Sequence, residues 1–146
     1  MEEKNVDITI RTLQRRPEGD ETIESRTAGI LRREESGWVL CYREGADSGL
    51  GDTVTTLRLE EGRAVLERAG ETASRMVFQV GEPYACRYAT PYGELPMTVT
   101  TLELAWELDE TGGRAFLVYK LQIGEAEVGE NRLRLTVKTK ENGYDR

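Results

Sequence analysis

The stretch Thr53-Val54-Thr55-Thr56-Leu57-Arg58-Leu59 returns almost unchanged as Thr98-Val99-Thr100-Thr101-Leu102-Glu103-Leu104. Each copy leads through acidic residues and a glycine turn into a second apolar run, Ala64-Val65-Leu66 after Gly62 and Ala115-Phe116-Leu117 after Gly112-Gly113. Threonine and valine are branched at Cβ and stiff at χ1, so they suit a pleated surface better than a helix. A chain that writes one long β-hairpin twice is committed to an all-β fold.

The rest of the chain keeps the same period of two. Val6, Ile8 and Ile10 define a first strand, and Pro17-Glu18-Gly19-Asp20 is a turn by composition. Further strands run through Ile23, Thr27 and Leu31, then Trp38, Leu40 and Tyr42, then Met76, Phe78 and Val80. Tyr84, Cys86 and Tyr88 precede the second repeated hairpin, and Leu133, Leu135 and Val137 follow it. Ala64 to Met76 also fits helical spacing, but Gly70 and the match to the second hairpin argue for strand. Val54 and Leu57 stand an odd number of residues apart, as do Val99 and Leu102. A β-bulge at each Thr-Thr pair would bring them to one face; the alternative is a strand partly covered on both faces. The bulge is the preferred reading.

Some eight to ten strands with no helix to cover them must close into an antiparallel barrel or fold into a sandwich. Sequential hairpins favour a closed or nearly closed barrel, whose interior at this size is filled by side chains or holds one small ligand. The 146 residues read as a single β-barrel domain with a frayed tail from about 140.

Composition narrows the function. The net charge is -7 and the basic residues are scattered, so neither nucleic acid nor an anionic membrane surface is an expected partner. Histidine is absent, which removes imidazole acid-base catalysis and histidine metal ligation and weighs against an enzyme. Cys41 and Cys86 form neither a CxxC pair nor a disulfide framework. No cofactor or metal is expected. With no apolar segment behind Met1 and no long apolar run, the expected location is the cytoplasm. The segment from Gly45 to Asp52 reads as a loop at a barrel rim.

The order Tyr42-x-Glu44, Thr55-Thr56, Arg68-x-Gly70, Phe78, Gly81, Tyr88-x-Thr90, Gly93 and Thr101 resembles the YwiB-like family, small bacterial proteins assigned a domain of unknown function. The resemblance covers nearly the whole chain from the first strand onward. It implies a barrel similar in fold to the calycins, the lipocalin-type antiparallel barrels, and it brings no established activity.

Strand parity gives a candidate site. Glu44 shares a face with Trp38, Leu40 and Tyr42, and Arg68 shares one with Ala64 and Leu66. An inward guanidinium needs a partner, and Glu44 is the candidate. Tyr88, Tyr119 and Asn131 point inward by the same logic, giving a polar patch inside or at the mouth of the barrel. Arg68 would hold an acidic head group while Trp38, Tyr42 and Phe78 line the apolar part of an amphipathic ligand. The rival reading is an internal salt bridge that only fixes register, in a filled barrel serving as a structural or protein-interaction module. A carboxylate-dependent enzyme ranks third, and a homodimer is allowed for.

Overall fold

The computed structural model describes residues 3–44, 52–70, 73–90 and 93–140, without the side chains of 88–90. The expected rim loop therefore lies almost wholly outside the described residues, as does the tail beyond 140. Ten strands follow in sequence: β1 (Glu3–Arg16), β2 (Gly19–Glu34), β3 (Gly37–Arg43), β4 (Thr53–Glu60) and β5 (Arg63–Gly70), then β6 (Ser74–Phe78), β7 (Tyr84–Thr90), β8 (Gly93–Asp109), β9 (Gly112–Ile123) and β10 (Ala126–Thr139). Of the ambiguous stretch from Ala64 to Met76, residues 64–70 are strand in β5 and 74–76 strand in β6. Among the described residues no helix is long and apolar enough to cross a membrane.

The strands form one antiparallel sheet in the order β6-β5-β4-β3-β2-β1-β10-β9-β8-β7. β1 and β10 pair in its middle, and the sheet's two edges, β6 and β7, are neighbours in sequence. The sheet curls until those edges approach, giving a nearly closed barrel. No ladder joins β6 to β7. The seam is held instead by a parallel bridge between Val80 and Thr101 and by the Phe78 and Tyr119 rings, whose centroids are 4.8 Å apart. Lower down, the Trp106 indole N–H donates to the Glu60 carbonyl oxygen at 2.9 Å.

Alternation packs the axis with Val6, Ile8, Leu31, Leu40, Leu57, Phe78 and Leu117, all fully buried. Each such side chain withdrawn from water contributes roughly 1.5–3 kcal/mol. Val39 and Val65 point outward yet are buried, because the long Arg58 side chain stands between them in register. The turn from β8 to β9 demands glycine: Gly113 has φ +147°, and a Cβ there would run into the Glu107 carbonyl oxygen.

The phase slips resolve differently in the two repeats. β8 carries a bulge between Thr101 and Glu103, one residue beyond the Thr-Thr pair. It leaves Leu102 41% exposed rather than joining Val99 inside, while Leu104, Trp106 and Leu108 pack against the core. β4 has no bulge, contrary to expectation: its pairing is regular on both sides. Thr53, Thr55, Leu57 and Leu59 are buried, and the outward Val54, Thr56 and Arg58 are half-buried. Both faces are covered, and the interior at this height accepts threonine because it is polar. Val80 is also corrected, since it lies beyond β6, in the seam bridge, and is 56% exposed.

The walls are unequal. β2 has 16 residues and β8 has 17, against 7 in β3 and 5 in β6. Residues 19–28 of β2 pair with β1 alone, so this hairpin extends roughly 30 Å beyond the lip where β3 ends. Ile10, Leu121, Ile123 and Leu133 on the inner side of the tall wall remain only partly buried.

The seam bond gives a direct test. Trp106→Phe keeps an aromatic side chain but removes the indole N–H and some ring volume, orphaning the Glu60 carbonyl, and should lower stability by about 1–2 kcal/mol. Urea denaturation measures this; an unchanged midpoint would show that the seam bond contributes nothing to stability.

Candidate functional site

One register row crosses the top of the short wall. Tyr42 of β3 stands opposite Thr55 of β4, Thr55 opposite Arg68 of β5, and Arg68 opposite Ser74 of β6. All four side chains face the axis by strand parity. Glu44 follows β3 directly, and its backbone N–H donates to the Thr53 carbonyl oxygen at 2.8 Å, which aims its side chain inward. A second row faces the first: Thr101 of β8, Tyr119 of β9, Asn131 of β10 and Gln14 of β1. The Tyr119 phenol and the Asn131 side chain are hydrogen-bonded.

The charges meet between these rows. Arg68 Nε lies 3.8 Å from Glu44 Oε2, with the two side chains 22% and 7% exposed. The Thr55 hydroxyl donates to the same Glu44 oxygen. A buried carboxylate needs both its counter-ion and its hydrogen bonds, and Glu44 has each. Burial pushes the Tyr42 phenol above its ordinary range, with the Glu44 carboxylate adding to the shift; Arg68 and the hydrogen bond to Thr55 oppose it. Burial raises Tyr119 likewise, against the pull of Arg68. Both phenols stay neutral, so Glu44 and Arg68 are the charges of this cluster.

Three buried polar atoms have no hydrogen-bond partner: Arg68 Nε, Ser74 Oγ and Thr101 Oγ1. Arg68 and Ser74 are cross-strand neighbours at the lip, whereas Thr101 lies opposite Tyr119 and is bridged to Val80 at the seam. An unsatisfied buried donor costs about 1–3 kcal/mol. Arg68 Nε has its counter-ion in Glu44 but no hydrogen bond, and with Ser74 it leaves two unmet hydrogen-bonding atoms side by side.

The structure therefore brings together Tyr42, Glu44, Arg68, Tyr119 and Asn131, with Phe78 touching the Tyr119 ring from the dry row below. Trp38 does not join them. It lies four residues before Tyr42, roughly 13 Å down the strand, under the Arg33 guanidinium at 5.6 Å from its ring. There it lines a cleft of about 330 Å³ with Leu108, Asp109 and Thr111. A second cleft, about 470 Å³, opens beside Glu61, Gly62 and Trp106 at the same end. Both are on the far side of the barrel from Arg68. Tyr88 stands opposite Leu95 in β7, and its side chain lies outside the described residues. Asp109, exposed at the end of the β8–β9 hairpin, holds its turn: it accepts from the Thr111 N–H at 2.8 Å and the Thr111 hydroxyl at 2.6 Å.

Thr55, Ser74 and Thr101 are the site residues that parity reasoning missed. A strictly alternating β4 would have placed Thr55 inside with Leu57, and Ser74 shares parity with Met76 and Phe78. Among the described residues, no three acidic or cysteine side chains come together as metal ligands.

Two outcomes follow. Arg68→Ala strands the Glu44 carboxylate and should cost roughly 3 kcal/mol in denaturant unfolding, whereas a near-neutral effect would place the carboxylate in water. The raised phenols give the second. Their neutral burial contributes fully below pH 10, and the contribution falls as pH rises, because the unfolded chain then releases protons that the folded chain retains. The slope is up to about 1.4 kcal/mol per pH unit for each phenol. Tyr42→Phe should flatten the loss of stability between pH 10 and 11; an unaltered slope would rule Tyr42 out as a source.

The geometry can now be set beside known proteins. The model of the family described as "Domain of unknown function (DUF1934)" matches residues 8–135. An uncharacterised β-barrel protein of Bacillus subtilis (strain 168), YwiB, is 28% identical over 116 residues, 80% of each chain. The crystal structure of the ywiB protein from Bacillus subtilis superposes with a TM-score of 0.83 at 23% identity, covering 95% of this chain and 94% of that one. At that identity the superposition speaks for the barrel alone. The family match spans most of the sheet, from β1 to β10, and the chain belongs to the DUF1934 family of β-barrel proteins.

Proposed function

We propose that this barrel binds one small amphipathic molecule at its open end, a lipocalin-like use of a β-barrel. The polar head would sit against Arg68 and Ser74. The apolar part would lie on the partly buried Ile10, Leu121 and Leu133 of the tall wall. The observation that carries this reading is the pair of neighbouring buried atoms at the lip without a hydrogen-bond partner, Arg68 Nε and Ser74 Oγ. Native interiors pair such groups, and a molecule entering the mouth would supply the missing partner. The packed midsection confines a ligand to the mouth, because the axis below is occupied by side chains.

That same packing favours a second reading, a filled barrel whose lip cluster only fixes register and whose outer surface meets other proteins. The free thiols of Cys41 and Cys86 suit a reducing compartment and support a cytoplasmic location for either reading.

Ser74→Ala separates the two. The buried Ser74 hydroxyl has no hydrogen-bond partner and is a burden on the empty protein if a ligand is its partner. Alanine should then raise stability by about 1 kcal/mol and weaken ligand-induced thermal stabilisation across a metabolite screen. A destabilised Ser74→Ala protein would mean that the hydroxyl serves the fold, and would favour the filled barrel.

A further inference from the structure

We infer that the head group this site takes is an uncharged hydrogen-bond acceptor, such as an amide or ester carbonyl, rather than a carboxylate or phosphate. The inference rests on the binding reading above and concerns the charge of its ligand.

The argument is one of balance. At the lip Arg68 Nε–H, which can only donate, has no hydrogen-bond acceptor, and the neighbouring Ser74 hydroxyl, which can donate or accept, has no partner either. An incoming group must therefore accept from Arg68, and Ser74 can donate to it as well. The positive charge that would ordinarily recruit an anion is already spoken for, because Glu44 lies 3.8 Å from Arg68 Nε and is held there by Thr55. With its side chain 7% exposed, Glu44 is poorly screened by water. A second anion would meet that carboxylate at close range in a weakly screened site, with no further unpaired cation among the described residues beside it to offset the charge.

The neighbouring groups do not alter this balance. Tyr42 and Tyr119 are neutral phenols, and Asn131 and Gln14 are uncharged. Arg16, further along the same face of β1, is bonded to Gln14 and lies 3.7 Å from Glu21. A carbonyl oxygen satisfies the donors and adds no charge.

The test is a matched pair of probes, hexanamide and hexanoate, titrated calorimetrically at pH 7.5 into the wild-type chain and into Glu44→Gln. Hexanamide should bind the wild-type barrel at least tenfold more tightly than hexanoate. Glutamine keeps an acceptor for Thr55 but removes the negative charge, so in Glu44→Gln the preference should invert towards hexanoate. Hexanoate binding the wild type as well as hexanamide does would overturn the head-group inference and leave the binding reading standing. An unaltered ratio in a folded Glu44→Gln protein would overturn the part given to Glu44. If neither probe binds the wild type, the binding reading falls and the inference with it. Should Glu44→Gln fail to fold, the wild-type ratio decides alone.

Discussion

The architecture depends on a seam that closes without a ladder. Nine strand pairings run through the sheet, and each supplies its own backbone hydrogen bonds. The tenth junction, β6 against β7, does not. An open sheet of this size would expose its apolar inner face, so closure is obligatory. The protein achieves it with the Val80–Thr101 bridge, the Phe78–Tyr119 ring contact and the Trp106 indole on the Glu60 carbonyl. The bulge in β8 begins just past Thr101, where the Val80 bridge meets the strand. Closure and the polar lip meet at Tyr119, whose ring packs on Phe78 across the seam and whose phenol is hydrogen-bonded to Asn131.

The lip itself follows from unequal strand lengths. Where β3 to β6 stop, the interior can no longer be sealed by apolar side chains, and the last inward positions are Tyr42, Thr55, Arg68 and Ser74. A charge pair at this level is shielded enough to be consequential and close enough to the rim to meet a molecule from outside. Two rows lower, the same strands carry Trp38, Leu59, Ala64 and Phe78, and the interior is dry packing. Polarity is graded along the axis within five residues of strand.

Much of this was legible in the chain. Period-two alternation and the repeated hairpin identified the strands and the barrel, and parity alone placed Glu44, Arg68, Tyr119 and Asn131 on inward faces. Parity failed where it was overridden. A bulge in β4 would bring Val54 inside but turn Thr55 out, and Thr55 is held inside as a hydrogen-bond donor to a buried carboxylate. Trp38 and Tyr42 share an inward face, but a shared face says nothing of height, and four residues of strand separate them. Ser74 and Thr101 carry no local signal of function. Their significance arises from the absence of partners, a property of three-dimensional packing that no spacing encodes.

The pairing of β1 with β10 in the centre of the sheet bears on how the molecule is assembled. The strands that meet there lie at opposite ends of the ladder in time, since a ribosome delivers β1 first and β10 last. Until the final strand emerges, one side of the β1–β2 ribbon has no mate, and the half-sheet ending at β6 cannot join the half beginning at β7. Hairpins such as β4–β5 can form early from nearby residues, but cohesion of the two halves waits on the most distant contact the chain contains. The nascent protein must keep that ribbon from pairing with strangers, and the alternating charges Asp7, Arg11, Glu24 and Arg26 on its outward face are well suited to discourage them.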